Sequence, residues 1–351
     1  MKVVIGDRML DESSPVLVVA ELSCNHVGSK KIAIETIKAA KNCGADAIKL
    51  QTYTPDTMTL KSDKDYFKIS NGSPWDGYTY YDLYSEAHTP WEWHHDLFRI
   101  AREEGLICFS SPFDSSAVEF LQQFDPPAYK IASFEIVDIP LIEKVAALQK
   151  PVILSTGIAK LDEIQRAIEA CRSQNNHQII LLKCTSAYPA PFSEINLRTM
   201  CNMQETFGVS VGLSDHSKGL AVPAAAVALG ARLIEKHLII DKEVGGHDAE
   251  FSLDTEEFKD MVVTVRNVEL ALGKVSYDCS PAVIKSRSFG RSLFAVSDIK
   301  RGELFSKENI RSIRPGNGLA PRFMSNLLGQ EANQDIESGT PIGWHLVRQD
   351  S

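Results

Sequence analysis

Short apolar runs of strand length recur along the chain, at residues 16–20, 47–51, 106–110, 128–131, 152–155, 179–184, 209–213 and 233–235. Unbroken runs of this kind suit strands of a parallel sheet covered on both faces. Helical patterns lie between them, at 30–42 (ended by Gly44), 117–123, 161–172, 219–230 and 255–272. Eight β-α units within about 260 residues predict an α/β fold, a closed (β/α)8 TIM barrel over residues 1–273. An open doubly wound sheet is the rival. No G-x-G-x-x-G follows the first strand, which weakens the dinucleotide-binding form of that rival.

One unit organises the rest. Val211-Gly212-Leu213-Ser214-Asp215-His216-Ser217 is answered about twenty residues later by Leu233-Ile234-Glu235-Lys236-His237. The apolar helix between them is capped by Gly230, so the two strands are expected to be parallel neighbours with their C-terminal ends side by side. His216 and His237 then face each other over one rim. Two imidazoles so placed hold a divalent metal and leave positions open for substrate. The alternative is a pair of histidines that only hydrogen-bond loops.

The stretch 53–89 is too long for an ordinary βα loop. It carries Trp75, Tyr78, Tyr80, Tyr81 and Tyr84. Its place after the second strand puts it over the C-terminal rim, either as a cover for substrate or as a packed surface excursion. Past residue 273 the pattern changes. Residues 274–288 read as an irregular linker, and 289–351 as a small, mostly β domain of a size that gains stability by docking.

Composition narrows the class. A net charge of −9 argues against a nucleic-acid footprint, and an apolar share of 44% supports a large core. The 7 cysteines are scattered without C-x-x-C spacing, as expected of reduced thiols in a cytoplasmic protein. The N-terminus shows no signal-peptide pattern, and no apolar run reaches membrane-spanning length.

In a parallel barrel the reactive groups sit at the C-terminal strand ends. Those ends offer Glu21 and Asn25, Lys49 and Gln51, Ser110 and Ser111, Lys130, Ser133 and Glu135, and Ser155 and Thr156. The later strands add Lys183, Thr185, Ser186, Tyr188, Ser214, Asp215, Glu235 and Lys236 beside the two histidines. Lysines and hydroxyls around one rim suit an anionic, phosphorylated substrate, because a buried lysine is costly without an anion to pair with. Lys236 alternates with His237 and is expected to point toward the helix layer. Lys130 and Ser133 have opposite strand parity, so a bend must intervene for both to reach the site.

Several of these stretches together resemble the sialic acid synthase family across nearly the whole chain. They are Ala20-Glu21-Leu22-Ser23-Cys24-Asn25-His26, Ala47-Ile48-Lys49-Leu50-Gln51-Thr52-Tyr53, Lys183-Cys184-Thr185-Ser186-Ala187-Tyr188-Pro189, Gly212–Ser217, Ile234–His237 and Ser312-Ile313-Arg314-Pro315. Trp75-Asp76-Gly77-Tyr78, Tyr81-Asp82-Leu83-Tyr84, Thr89-Pro90-Trp91-Glu92-Trp93 and Ser186 resemble the pseudaminic acid branch of that family. The resemblance implies condensation of phosphoenolpyruvate with a 2,4-diacetamido-2,4,6-trideoxy hexose, with release of phosphate. It also implies a C-terminal antifreeze-like SAF domain swapped across a homodimer, with Arg314 over the neighbouring subunit's site.

On this reading Glu135 is the acid/base candidate, Glu21 holds the sugar or a water, and His216 and His237 hold the metal, Mn2+ foremost with Mg2+ or Co2+ as alternatives. Lys49, Lys130, Ser133, Ser155 and Ser214 hold phosphate and carboxylate. Gln51, Ser111, Thr185, Ser186, Tyr188 and Asp248 complete the substrate-binding set, with Arg314 from the partner. N-acetylneuraminate or legionaminate synthesis is the alternative within enzymes. A sugar-phosphate-binding protein without catalysis is the alternative outside them.

Overall fold

The computed structural model describes residues 2–348 apart from Asn71 and Pro74, so Pro74 of the excursion and the last three residues of the C-terminal domain lie outside the described residues. The chain forms two compact units, Met1–Gly273 and Lys274–Ser351.

The first unit opens with an antiparallel hairpin, β1 (Val3–Ile5) and β2 (Arg8–Leu10), turned at Gly6 with φ +63°. Three-residue strands are too short to show alternation, so the apolar pattern does not predict them. Eight parallel strands follow: β3 (Leu17–Glu21), β4 (Ala47–Thr52), β5 (Ile107–Pro112), β6 (Tyr129–Ile131), β7 (Val152–Ser155), β8 (Ile179–Cys184), β9 (Ser210–Asp215) and β10 (Leu233–His237). They close into a barrel in which β10 pairs with both β9 and β3. The predicted (β/α)8 architecture is therefore the observed one, and the open sheet is excluded.

The helices are α1 (Lys30–Asn42), α2 (Pro55–Met58), α3 (Tyr80–Ala87), α4 (His94–Glu103), α5 (Ser115–Gln122), α6 (Ile139–Ala146), α7 (Leu161–Ser173), α8 (Arg198–Phe207), α9 (Ala221–Ala228) and α10 (Thr255–Leu272). Local chemistry sets their ends. Ser29 caps α1 by accepting from the Ile32 amide, and α1 buries Ala33, Thr36, Ile37 and Ala40, one face at helical spacing. Asp254 and Glu257 form a capping box at the start of α10.

Strand parity divides the core in two. Inward residues Leu17, Val19, Ala47, Phe109, Ile153, Ile180, Leu182 and Leu233 pack with Val3, Ile5 and Leu10, so the hairpin closes the N-terminal end of the barrel. Outward residues such as Val18, Ile48, Tyr129, Leu154, Leu181 and Ile234 pack against the helices. Gly212 must be glycine, since a Cβ there would sit 2.4 Å from the Leu233 carbonyl oxygen and 2.8 Å from Leu182.

The second unit departs from the pattern expected at its start. The segment 274–288, expected to be irregular, contains α11 (Pro281–Arg287), capped by Ser280 with Pro281 at its first position. A seven-residue helix is too short for periodicity to reveal, and the Ser-Pro start was its signal. Beyond it, β11 (Ser292–Ala295) pairs antiparallel with β12 (Ile310–Ile313), and α12 (Met324–Leu327) follows. Leu293, Ile299, Phe305, Ile310, Leu327, Ile336 and Ile342 form its own core.

Candidate active site

The inward parity of the barrel core continues to the strand ends, where the apolar residues give way to charged ones. Leu17 and Val19 lead to Glu21, Ala47 to Lys49 and Gln51, Ala128 to Lys130, Ile153 to Ser155, and Leu233 to Glu235 and His237. These side chains form one buried row of alternating charge. Gln51 donates to Glu21 at 2.9 Å, and Lys49 Nζ lies 2.7 Å from Glu21 Oε2 and 3.7 Å from Glu235 Oε1. Lys130 Nζ lies 3.7 Å from the same Glu235 oxygen, which also accepts from Ser214 at 3.0 Å. Burial disfavours every charge in the row. It pulls the Lys130 ammonium below the usual lysine range and pushes the Glu21 carboxyl up, each opposed by its partners. Burial also works against Lys49, but Glu21 and Glu235 more than offset it and hold that ammonium above the lysine range.

The bend required between Lys130 and Ser133 exists. β6 stops at Ile131, and a 3-10 turn, Ser133–Val137, swings Ser133 and Glu135 over the rim. Burial raises the Glu135 carboxyl to about 7, with Lys130 opposing, and Glu135 Oε2 is buried without a hydrogen-bond partner. Ser133 Oγ accepts from the Gly157 amide at 3.1 Å. A Cβ on Gly157 would lie 2.1 Å from Ser186 Oγ and 2.7 Å from Ser133 Oγ, so glycine is what lets these hydroxyls converge. Ser155 Oγ and Ser186 Oγ are buried and unpartnered. Unmatched polar atoms concentrated at one rim are what a ligand would satisfy.

His216 and His237 stand with ring centroids 5.3 Å apart. His216 directs Nδ1 at the Thr185 carbonyl, 3.2 Å away, with Cys184 Sγ at 3.7 Å, which leaves Nε2 to the site. Burial, reinforced by His216 and Lys49, holds His237 well below the usual histidine range, hence neutral, and its Nδ1 is buried with no hydrogen-bond partner. A neutral, unpartnered imidazole beside an oriented one fits a divalent ion. Among the described residues no set of three or more His, Cys, Asp or Glu forms a metal cluster, so an ion held here would have two protein ligands and take the rest from water or substrate.

Above this row lies a cavity of about 460 Å³. Its wall is the 53–89 excursion, which is therefore a cover for the cavity rather than a surface feature. α3 turns Tyr80, Leu83, Tyr84 and Ala87 to the cavity, a stripe at helical spacing. Tyr53 stands edge-on to Tyr84 and Phe113 at 5.6 and 5.2 Å.

Of the residues singled out from the sequence, Glu21, Lys49, Gln51, Lys130, Ser133 and Glu135 line this cavity, as do Ser155, Tyr188, Ser214, His216, His237 and Asp248. Ser111 stands behind Lys49 at 3.4 Å, and Ser186 adjoins Gly157. Thr185 serves His216 through its carbonyl, while its hydroxyl lies 3.3 Å from Lys183, which parity turns outward. Lys236 points outward as expected, and there it pairs with Asp215 at 2.6 Å, so Asp215 belongs to the helix layer and not to the rim. Arg314 is exposed in the second unit, directly after β12. Glu235, which the strand ends offer at the rim, and Cys184 have no specific role in the sequence reading, although both share the inward parity of their neighbours. Burial would raise the Cys184 thiol, but His216, Ser133 and Lys130 bring it down to about 7.

A (β/α)8 barrel with a lysine-rich rim, a histidine pair and a separate small β unit defines a class, and comparison with known proteins agrees. Residues 36–277 match the NeuB family and residues 290–348 the SAF domain; the chain belongs to the NeuB family. It is 52% identical to the pseudaminic acid synthase of Campylobacter jejuni strain 81-176, over 96% of this chain and 98% of that one. It is 48% identical to the pseudaminic acid synthase of Helicobacter pylori, over 93% and 96%. Among solved structures it resembles the spore coat polysaccharide biosynthesis protein SpsE of Bacillus subtilis, with a TM-score of 0.68, 33% identity and full coverage of both chains.

Proposed function

We infer that this protein condenses phosphoenolpyruvate with 2,4-diacetamido-2,4,6-trideoxy-L-altrose and water, giving the nonulosonic acid and phosphate. The observation that carries the reading is the two-sided cavity, with lysines and unpartnered hydroxyls on its floor and an apolar stripe on its wall, in a chain about half identical to proteins of that activity. The floor suits a phosphate and a carboxylate held by Lys49, Lys130, Ser133, Ser155 and Ser214. The wall suits the deoxy and N-acyl methyl groups of the sugar.

The chemistry follows from this placement. The pyruvyl C3 attacks the open-chain aldehyde carbon, water adds at C2, and the tetrahedral intermediate expels phosphate by C–O cleavage, the two protons of the water ending on the former aldehyde oxygen and on the phosphate. Glu135, with a carboxyl poised near neutrality, accepts the proton of the attacking water. Glu21, braced by Lys49 and Gln51, orients the sugar or that water. His216 and His237 would hold a divalent ion, Mn2+ foremost with Mg2+ or Co2+ as substitutes, whose contribution when bound is Lewis-acid polarisation of the aldehyde.

A homodimer in which the SAF domain of one chain caps the other's cavity, with Arg314 reading the acylamino group, completes the reading. Exposed apolar side chains in both units support it: Phe134, Ile158, Leu161 and Phe192 on the barrel, and Val275, Tyr277 and Phe289 in the second unit. Every cysteine is free, which supports a cytoplasmic setting, and among the described residues no helix is long and apolar enough to cross a membrane. The test is phosphate release from phosphoenolpyruvate and Mn2+ with a panel of acylamino sugars, and identification of the product by mass. Turnover of the 2,4-diacetamido-6-deoxy sugar is expected. Turnover of N-acetylmannosamine in its place would move the protein to neuraminate synthesis, and no turnover with any sugar would leave a binding protein.

A further inference from the structure

We propose that Trp75 is a positioning residue that ties the seating of the 53–89 excursion to the geometry of the histidine pair, with His247 as its counterpart. The proposal rests on the assignment of His216 and His237 to the metal. Trp75 contacts a neighbour of each imidazole from outside the barrel. Its ring packs on Tyr188 at 5.3 Å, and Tyr188 packs on His216 at 4.5 Å. Its indole Nε1 donates to the His247 carbonyl at 3.2 Å. His247 immediately precedes Asp248, whose Oδ2 lies 3.5 Å from His237 Nδ1 and accepts from Ser23 Oγ. One side chain of the excursion is thus linked to His216 through the Tyr188 ring and to His237 through the backbone at His247 and the Asp248 carboxylate.

The His247 side chain makes a second tie to the same excursion. Its Nε2 lies 3.1 Å from the Glu86 carboxylate on α3, and its ring stands edge-on to Tyr78 at 5.3 Å. The turn that these contacts hold is one that needs holding. Gly245 and Gly246 have φ of +75° and +115°, and two adjacent glycines lose much conformational freedom when fixed. A Cβ on Gly246 would lie 2.8 Å from Val27 Cγ1, so close approach to the first βα loop excludes a larger residue.

Past Asp248 the chain is pinned to the barrel, because the Asp248 carbonyl accepts from Ser252 Oγ at 2.6 Å and that hydroxyl accepts from Asn25 at 2.8 Å. On the glycine side Trp75 and Glu86 supply the ties. Seating the excursion fixes the turn, and fixing the turn aims Asp248 at His237. A sugar that orders the wall therefore also completes the site where its aldehyde reacts.

Trp75→Phe keeps a ring against Tyr188 and removes only the donor, and His247→Ala keeps the carbonyl and removes the side-chain ties to Glu86 and Tyr78. Mn2+ affinity of each variant is measured without substrates by electron paramagnetic resonance of the free ion, alongside kcat and sugar KM, with circular dichroism as a check of folding. Trp75→Phe is expected to weaken Mn2+ binding and lower kcat by about tenfold each, the lower end for groups that orient metal ligands indirectly. Sugar KM is expected to stay within a factor of about two, because uniform sugar binding is not what the tie provides. Native Mn2+ affinity in both folded variants, or a raised sugar KM as the sole effect, overturns the proposal and leaves Trp75 a piece of the sugar wall. Failure of the wild-type protein to bind Mn2+ overturns the metal assignment itself, and the proposal with it.

Discussion

The floor and the wall of the cavity are built on opposite plans. The floor comes from consecutive strands of a closed barrel, with each charged side chain two residues beyond an apolar one of the same parity, and almost everything there is buried: Lys49 is 4% exposed and Lys130 2%. The wall comes from a single excursion with one eight-residue helix, short turns and a few ties to neighbouring loops. A rigid sheet suits the part of the reaction common to any acceptor sugar, namely holding phosphoenolpyruvate and the aldehyde. A loop-borne helix suits the part that distinguishes one sugar from another. Damage to the floor should therefore stop chemistry with every sugar, and damage to the wall should change which sugar is used.

The largest effect is expected at the histidine pair. His216→Ala or His237→Ala should cut metal-dependent turnover by about 10³-fold with any sugar, the scale of losing a principal electrostatic stabiliser. Chelation of the wild-type protein should reproduce the loss, with circular dichroism unchanged. Full activity in both variants would separate the floor's chemistry from the histidines.

Glu135 comes next. Glu135→Gln should lower kcat by about 10²-fold, within the range for a general acid–base group. With the carboxyl near 7 and the proposed role of base, wild-type kcat should rise with pH through neutrality, and the variant should lose that limb. Stability should respond in a related way. A carboxyl whose folded pKa is raised from 4.5 to about 7 binds its proton more tightly in the native state, so its unfavourable contribution is absent below about pH 4.5 and grows as pH rises toward 7. Glu135→Gln should accordingly raise Tm at pH 8 and leave it unchanged at pH 4. A variant less stable than wild type at pH 8 would contradict the burial account.

A smaller effect is expected from assembly. His237→Ala and Arg314→Ala, each inactive alone, should recover up to about a quarter of wild-type activity when co-folded, because half of the chains pair as heterodimers and one of their two sites is intact under C2 symmetry. Absence of rescue would place Arg314 at its own chain's site, and a monomer in solution would end the swapped arrangement.

The same contrast explains what could be seen from the sequence. The barrel was legible because apolar runs bounded by turn signals mark parallel strands, and once the strands are known, parity places Glu21, Lys49, Lys130 and His237 inside and Lys236 outside. Parity would also have placed Glu235 and Cys184 inside and Lys183 outside. The bend that brings in Ser133 and Glu135 was legible only as a requirement, since nothing in the local pattern specifies a 3-10 turn. The hairpin and α11 were hidden by brevity. The wall's ties were illegible for a different reason: Trp75 to His247 and His247 to Glu86 span more than 150 residues and depend on tertiary placement.

The division of labour between floor and wall is tested most directly by one competition experiment on α3. Equimolar 2,4-diacetamido-2,4,6-trideoxy-L-altrose and N-acetylmannosamine are offered with saturating phosphoenolpyruvate to the wild-type protein and to Ala87→Ser and Leu83→Asn, and the two products are quantified by mass. The account predicts that the product ratio shifts toward the 6-hydroxy sugar by about tenfold, the scale at which an apolar pocket separates such substituents, with KM for phosphoenolpyruvate unchanged. An unchanged ratio together with a raised KM for phosphoenolpyruvate would contradict it, because the wall would then be serving the floor's ligand.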